Sequence, residues 1–139
     1  MHVMCAMTIL IAYDGRPSTE KALDYAVKHS INYGEPLYIL TVASKDQMDP
    51  EDPDTSVQEY MEAAQRKATA EGADAHTIIE TGKPDDTILE VAERFKCDTI
   101  VVGRSNKSAL DRFILGSVSN SIVKDADCTV IVVSDDRDD

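Results

Sequence analysis

Residues 99–133, TIVVGRSNKSALDRFILGSVSNSIVKDADCTVIVV, decide how this chain reads. Thr99–Val102 is apolar, β-branched and of strand length, and the predicted strand stops at Gly103. A polar loop follows, then the pair Gly116-Ser117, a helix, and a last predicted strand, Thr129–Val133. A strand that empties into a glycine-containing loop and then a helix N-terminus suits a phosphate group. Glycine lets the backbone approach closely, and the first helical turn offers unpaired N–H donors. Gly103 also reads as a plain turn residue, and Gly116-Ser117 as an ordinary helix cap. Charge favours the phosphate reading. Between Gly103 and Ser117, Arg104, Lys107 and Arg112 face only Asp111, whereas the whole chain has a formal charge of −12. A basic loop on an acidic protein is where an anion collects.

Upstream, strand and helix signals alternate in the same way. Thr8–Tyr13 is an Ile-rich run that ends at Asp14-Gly15; Ser18 is placed to cap the helix that follows, with Glu20 in its first turn. Ala22, Leu23, Ala26, Val27 and Ile31 recur at helical spacing, and Gly34 ends the segment. Leu37–Val42 is the second predicted strand. From Lys45 to Glu62 seven carboxylates face Lys45 alone, and Pro50 and Pro53 keep the first half an irregular, solvated loop. That loop lacks the alternating ligands and central glycine of a calcium site. A helix is predicted from about Thr55 to Glu71, a short strand at Thr77–Thr81, and a turn at Gly82-Lys83-Pro84. Asp85 and Asp86 then open a helix whose Ile88, Val91, Ala92 and Phe95 fall at i, i+3, i+4 and i+7.

Strands alternating with helices in this way call for one α/β domain over residues 1–139: a doubly wound, Rossmann-like parallel sheet with helices on both faces and right-handed crossovers. Residues 1–6 and 134–139 read as flexible tails. Ligands of such sheets bind at the carboxyl ends of the strands, where the strand order reverses.

Composition narrows the function. Apolar residues make up 42% of the chain and aromatic residues only 5%, with no Trp, so the core is built from Val, Ile, Leu and Ala. Twenty-six acidic against 14 basic residues speak against duplex nucleic acid or an anionic membrane as partner. No apolar run reaches the roughly 20 residues of a membrane span, and a secretory leader's basic region and apolar core are missing. Cys5, Cys97 and Cys128 share no metal-ligand spacing and read as reduced, buried thiols of a cytoplasmic protein. His2, His29 and His76 fall on separate elements, away from any nucleophile or ligand set. Neither a lysine phosphate loop nor a Rossmann glycine triplet occurs.

The spacing of Gly103, two residues, Asn106, nine residues and Gly116-Ser117 resembles the nucleotide-binding signature of the universal stress protein family: glycine, two residues, glycine, nine residues, then glycine with serine or threonine. ILIAYDGRPSTEKAL near the start, GKPDDTILEVAERFKCDTIVVG in the middle and CTVIVV at the end are also family-like. The resemblance implies strand order 3-2-1-4-5, which sets Asp14 and Gly103 at the carboxyl ends of adjacent strands. It implies an adenine near Ala12 and Val42, with Val42 reading the base through its backbone and Asp14 approaching the base or ribose. Val102 and Gly103 would line the ribose and phosphates, and Gly116, Ser117, Val118 and Ser119 would donate hydrogen bonds to the phosphates. ATP or AMP is the implied ligand, with or without Mg²⁺. A homodimer paired through Thr129–Val133 is the implied assembly.

Two positions depart from the pattern. Asn106 replaces the second glycine; asparagine tolerates left-handed backbone but adds bulk. Arg104, Lys107 and Arg112 are available to offset that loss on the phosphates. Thr129 stands where the family usually has proline. Three functions follow: a non-catalytic or very slow nucleotide-binding module, a slow ATP hydrolase, and an interaction protein that keeps the fold without the ligand.

Overall fold

The computed structural model describes residues 7–51, 55–105 and 116–135. Their elements run β1 (Ile9–Ala12), α1 (Pro17–Tyr33), β2 (Leu37–Ala43), α2 (Thr55–Ala70), β3 (Ala75–Thr81), α3 (Pro84–Arg94), β4 (Thr99–Ser105), α4 (Ser117–Asp125) and β5 (Thr129–Asp135). The five strands form one sheet in the order β3-β2-β1-β4-β5, and all four pairings are parallel. This is the expected doubly wound α/β fold. The order reverses between β1 and β4, which opens a crevice at their carboxyl ends.

Side-chain alternation along β1 builds the two halves of the core. Ile9 and Ile11 face one way, packing with Leu23, Ala26 and Val27 of α1 and Met61 and Ala64 of α2. Leu10 faces the other way, into Leu40, Ile100, Val102, Ile88 and Val91 of α3, and Ile122 of α4. Ile9, Leu10 and Ile11 have no exposed surface, as befits a central parallel strand covered on both sides. Burying each such side chain stabilises the fold by about 1.5–3 kcal/mol, more than any rim hydrogen bond.

β3 starts at Ala75, two residues before the expected Thr77, and three further boundary differences bear on the site. Helix α1 begins at Pro17 with Arg16 in the cap position, so Ser18 lies in the first turn and is not the cap. Proline suits that first position because its φ is already helical and its missing N–H would have had no partner. β4 does not stop at Gly103 but runs to Ser105, with Gly103 paired to Val133. β5 correspondingly continues past Val133 through Ser134 to Asp135, so the tail begins later than expected. Gly34, in the left-handed conformation, does end α1. Thr129 donates its N–H to the Asp98 carbonyl at 3.2 Å, a bond that a proline there could not make.

Candidate functional site

A cavity of about 610 Å³ opens at the carboxyl ends of β1, β2 and β4. Ala12 and Asp14 reach it from β1 and the turn after it, Val42 from β2, and Val102 and Gly103 from β4. Gly116, Ser117, Val118 and Ser119 close it from the start of α4. Nine of the ten positions singled out in the sequence are thus drawn from four segments into one concavity. The tenth, Asn106, lies outside the described residues, as do Lys107 and Arg112. Arg104 also lines the cavity.

The walls divide by chemistry. Leu40, Val42, Ile88 and Val102 make an apolar side, continuous with the core packed under α3 and α4. Helix beginnings also line it: Arg16, Ser18 and Thr19 at the start of α1, Pro84 at the start of α3, and Gly116–Ser119 at the start of α4. Helices α1 and α3 open on prolines, which carry no N–H, and hold Glu20 and Asp85–Asp86 in their first turns; α4 has no acidic residue in its first turn, so it is the N-terminus suited to an anion. At Gly116, among the described residues and apart from its chain neighbours, no heavy atom lies within 4 Å of where a Cβ would stand.

Asp14 is held by the turn that follows it. Its carboxylate accepts the Arg16 N–H at 3.0 Å, Arg16 Nε at 2.7 Å and the Thr19 hydroxyl at 2.8 Å. Burial pushes its carboxyl up, but the hydrogen bonds from Arg16 and Thr19 outweigh that and hold it below the usual range. Arg16 Nη2 lies 2.6 Å from the same carboxylate, yet the Arg16 side chain is 76% exposed. A pair that open adds little stability, so its effect is positional: it fixes Asp14 and parks a cation at the rim.

Gly15 makes the turn possible. Its φ of +82° is left-handed, and the Tyr60 ring lies 3.1 Å from where a Cβ would be. That ring is fixed in turn, edge-on to Tyr13 with centroids 5.8 Å apart, its hydroxyl 2.7 Å from Thr41 Oγ1. The Tyr13 hydroxyl donates to Glu20 Oε2 at 3.0 Å. Sequence reasoning missed Arg16 and Thr19 as site residues; the Asp-Gly turn two residues before Arg16 was the available signal. Leu40 and Ile88 gave no signal beyond core periodicity, and Pro84 none beyond its turn.

Gly103 has a packing reason besides its place in the cavity lining. A Cβ there would stand 2.5 Å from the Ser18 carbonyl oxygen, so the missing side chain lets the start of α1 lie against β4. Ser119 Oγ donates to the Gly103 carbonyl at 3.3 Å and ties α4 to the same strand. Asp14 is the single carboxylate among the described residues lining the cavity, and no cluster of three or more His, Cys, Asp or Glu suited to a metal occurs among them. With Asp14 already engaged by Arg16 and Thr19, these residues do not make a protein-held Mg²⁺ site. No described helix is long and apolar enough to cross a membrane.

Comparison with known proteins places this architecture. The model of the universal stress protein family matches residues 6–134. A putative universal stress protein of Staphylococcus aureus is 35% identical over 136 residues, covering 90% of this chain and 82% of the relative. A universal stress protein of Methanocaldococcus jannaschii is 40% identical over 76 residues; that match spans 55% of this chain and 45% of the relative, less than half its length. Among solved structures, a universal stress protein from Archaeoglobus fulgidus superposes with a TM-score of 0.79 at 24% identity, covering 91% of this chain and 98% of its own. One in complex with cAMP gives 0.76 at 24% identity, covering 94% and 98%. A family protein from Arabidopsis thaliana with AMP bound gives 0.69 at 23% identity, covering 92% and 91%. At those identities the structural likeness establishes the fold, and the family match over most of the chain establishes the kinship: the chain belongs to the universal stress protein family.

Proposed function

We propose that the cavity binds an adenine nucleotide, ATP or AMP, and that the protein works as a regulatory, stress-linked homodimer in the cytoplasm. The observation that carries this reading is that one cavity combines apolar residues, suited to a base, with the N-terminus of α4 and the cations Arg16 and Arg104, suited to phosphates. Solved relatives that hold cAMP and AMP support it. The base would lie against Val42 and Ala12, the ribose near Asp14 and Val102, and the phosphates at Gly116–Ser119 with Arg16 and Arg104 nearby. Any Mg²⁺ would arrive on the phosphates of the nucleotide. Dimerisation would use the free side of β5, which among the described strands pairs with β4 alone.

The test is to purify the protein without added nucleotide, denature it, identify released small molecules by mass spectrometry, and titrate ATP and AMP calorimetrically. Near one adenine nucleotide per chain, or saturable heat with either ligand, is the expected result. Nothing released and no binding at millimolar ligand overturns it. The ligand-free interaction protein would then take its place, the reading that Asn106 in the signature favours. Phosphate release that vanishes in an Asp14→Ala variant would instead establish a slow hydrolase.

A further inference from the structure

At the opposite end of the sheet a second cavity, of about 300 Å³, is lined by Cys97 and Cys128 together with Leu89, Ala92 and Ile100. Each cysteine lies two residues past a helix C-cap: Cys97 beyond Phe95 of α3, Cys128 beyond Ala126 of α4. Cys97 is buried and Cys128 half-buried, and both belong to the apolar cluster between the sheet and α3 and α4. The strands they introduce are already registered, since Thr99 pairs with Thr129 and the Thr129 N–H bonds the Asp98 carbonyl at 3.2 Å. Cys97 stands before β4, in the turn after left-handed Lys96, with its N–H on the Ala92 carbonyl at 2.8 Å, and that turn puts it in the same cluster as Cys128, where a continued strand would have faced it the other way. Neighbouring strands lie about 4.8 Å apart, inside the Cα span of about 4.4–6.8 Å that a disulfide bridges.

We infer that Cys97 and Cys128 form an intramolecular dithiol site that a small hydroperoxide oxidises to a disulfide. The more exposed Cys128 reacts first: its thiolate attacks the peroxide, the O–O bond breaks, and a sulfenic acid and one equivalent of water (or alcohol) result. The Cys97 thiolate then attacks that sulfur and displaces the oxygen as a second water. Two S–H bonds and one O–O bond are consumed; one S–S bond forms. Both cysteines line the cavity, which gives the oxidant room beside them.

The surroundings set the pace. Burial, the neighbouring Cys128 and Asp98 push the Cys97 thiol up to about 12. Burial, Asp98 and Asp127 raise that of Cys128. Glu93, Lys96 and Asp125 also line the cavity, so Lys96 is its one cation among five nearby charged side chains. Thiolate is therefore scarce at neutral pH: the bridge forms slowly, faster as pH rises, and resists reduction once made. Closed, it would enclose residues 98–127 and pin the α4–β5 turn to the start of β4.

The experiment uses the full chain carrying Cys5→Ser, so that only these two thiols remain. It is exposed to hydrogen peroxide at several pH values, quenched, and denatured. The expected result is that both thiols disappear together, the mass falls by two hydrogens, and the chain stays single on a non-reducing gel. A peptide joined through Cys97 and Cys128 should be recovered, and Cys97→Ser or Cys128→Ser should abolish that mass change. Independent gain of oxygen atoms, dimers through either thiol, or two thiols that persist while added glutathione is fully oxidised would each overturn the inference. Because the mapping is done on the chain with both cysteines, it stands even where a serine variant folds poorly.

Discussion

The two ends of one sheet are opposites. At the carboxyl end, helices begin: the starts of α1, α3 and α4 line the larger cavity, together with Arg16, Arg104 and an apolar group of residues. At the amino end, helices finish, Asp98 and Glu35 gather beside His29, and the smaller cavity presents two protonated thiols. Parallel strands with one crossover hand force this asymmetry, because every helix dipole points the same way relative to the sheet. Binding and redox chemistry can then occupy one domain without sharing a residue.

The largest effect expected from breaking this contrast is at Gly103. Gly103→Ala drives a methyl into the Ser18 carbonyl, and overpacking of this kind costs about 1–3 kcal/mol or more, lowering Tm by about 5–10 °C. Gly116→Ala meets nothing among the described residues, so thermal melting should move by less than about 2 °C while calorimetry shows weaker nucleotide binding. Equal losses of stability in the two variants would erase the distinction between a packing glycine and a site glycine.

Arg16→Ala comes next: nucleotide affinity should fall about tenfold with Tm nearly unchanged, since a charge-assisted bond to phosphate is worth more than an exposed ion pair. An unchanged Kd would remove Arg16 from the site. At the other end, Thr129→Pro deletes the bond to Asp98 and should cost about 1 kcal/mol in chemical denaturation. The smallest effect is expected at Glu35, whose Oε1 is buried without a hydrogen bond and lies 3.9 Å from His29 Nε2. Burial and Asp98 raise its carboxyl above the ordinary 4.5, against a lowering pull from His29. The fold therefore favours the protonated form; that contribution is full below 4.5 and is lost as pH rises through the raised value. Glu35→Gln should flatten this part of the profile and raise Tm slightly at neutral pH, read from melting curves across pH 4 to 8.

Much of this was legible in the residues. The alternation of Ile-rich strands with amphipathic helices specified the layers, because each periodicity matches one kind of element. Strand order was not legible from periodicity and came from the family likeness. Asp14 and Gly116–Ser119 stood out because turn and cap chemistry is local. Arg16 and Thr19 escaped because their part depends on how one turn folds back on Asp14, and Pro17, not Ser18, sets where α1 begins. Gly103 was noticed for its place at the site, but a second demand for glycine comes from Ser18, 85 residues earlier, and no local pattern records it.

That contact changes how the family signature should be weighed. Any side chain at position 103 would collide with α1 whether or not a nucleotide is ever bound. A relative that has lost its ligand but kept this close helix–strand approach would still retain the first glycine, under selection for folding alone. The discriminating letters of the signature are then the ones that face empty space, with Gly116 foremost, and a search for nucleotide-binding members should score those and discount the first.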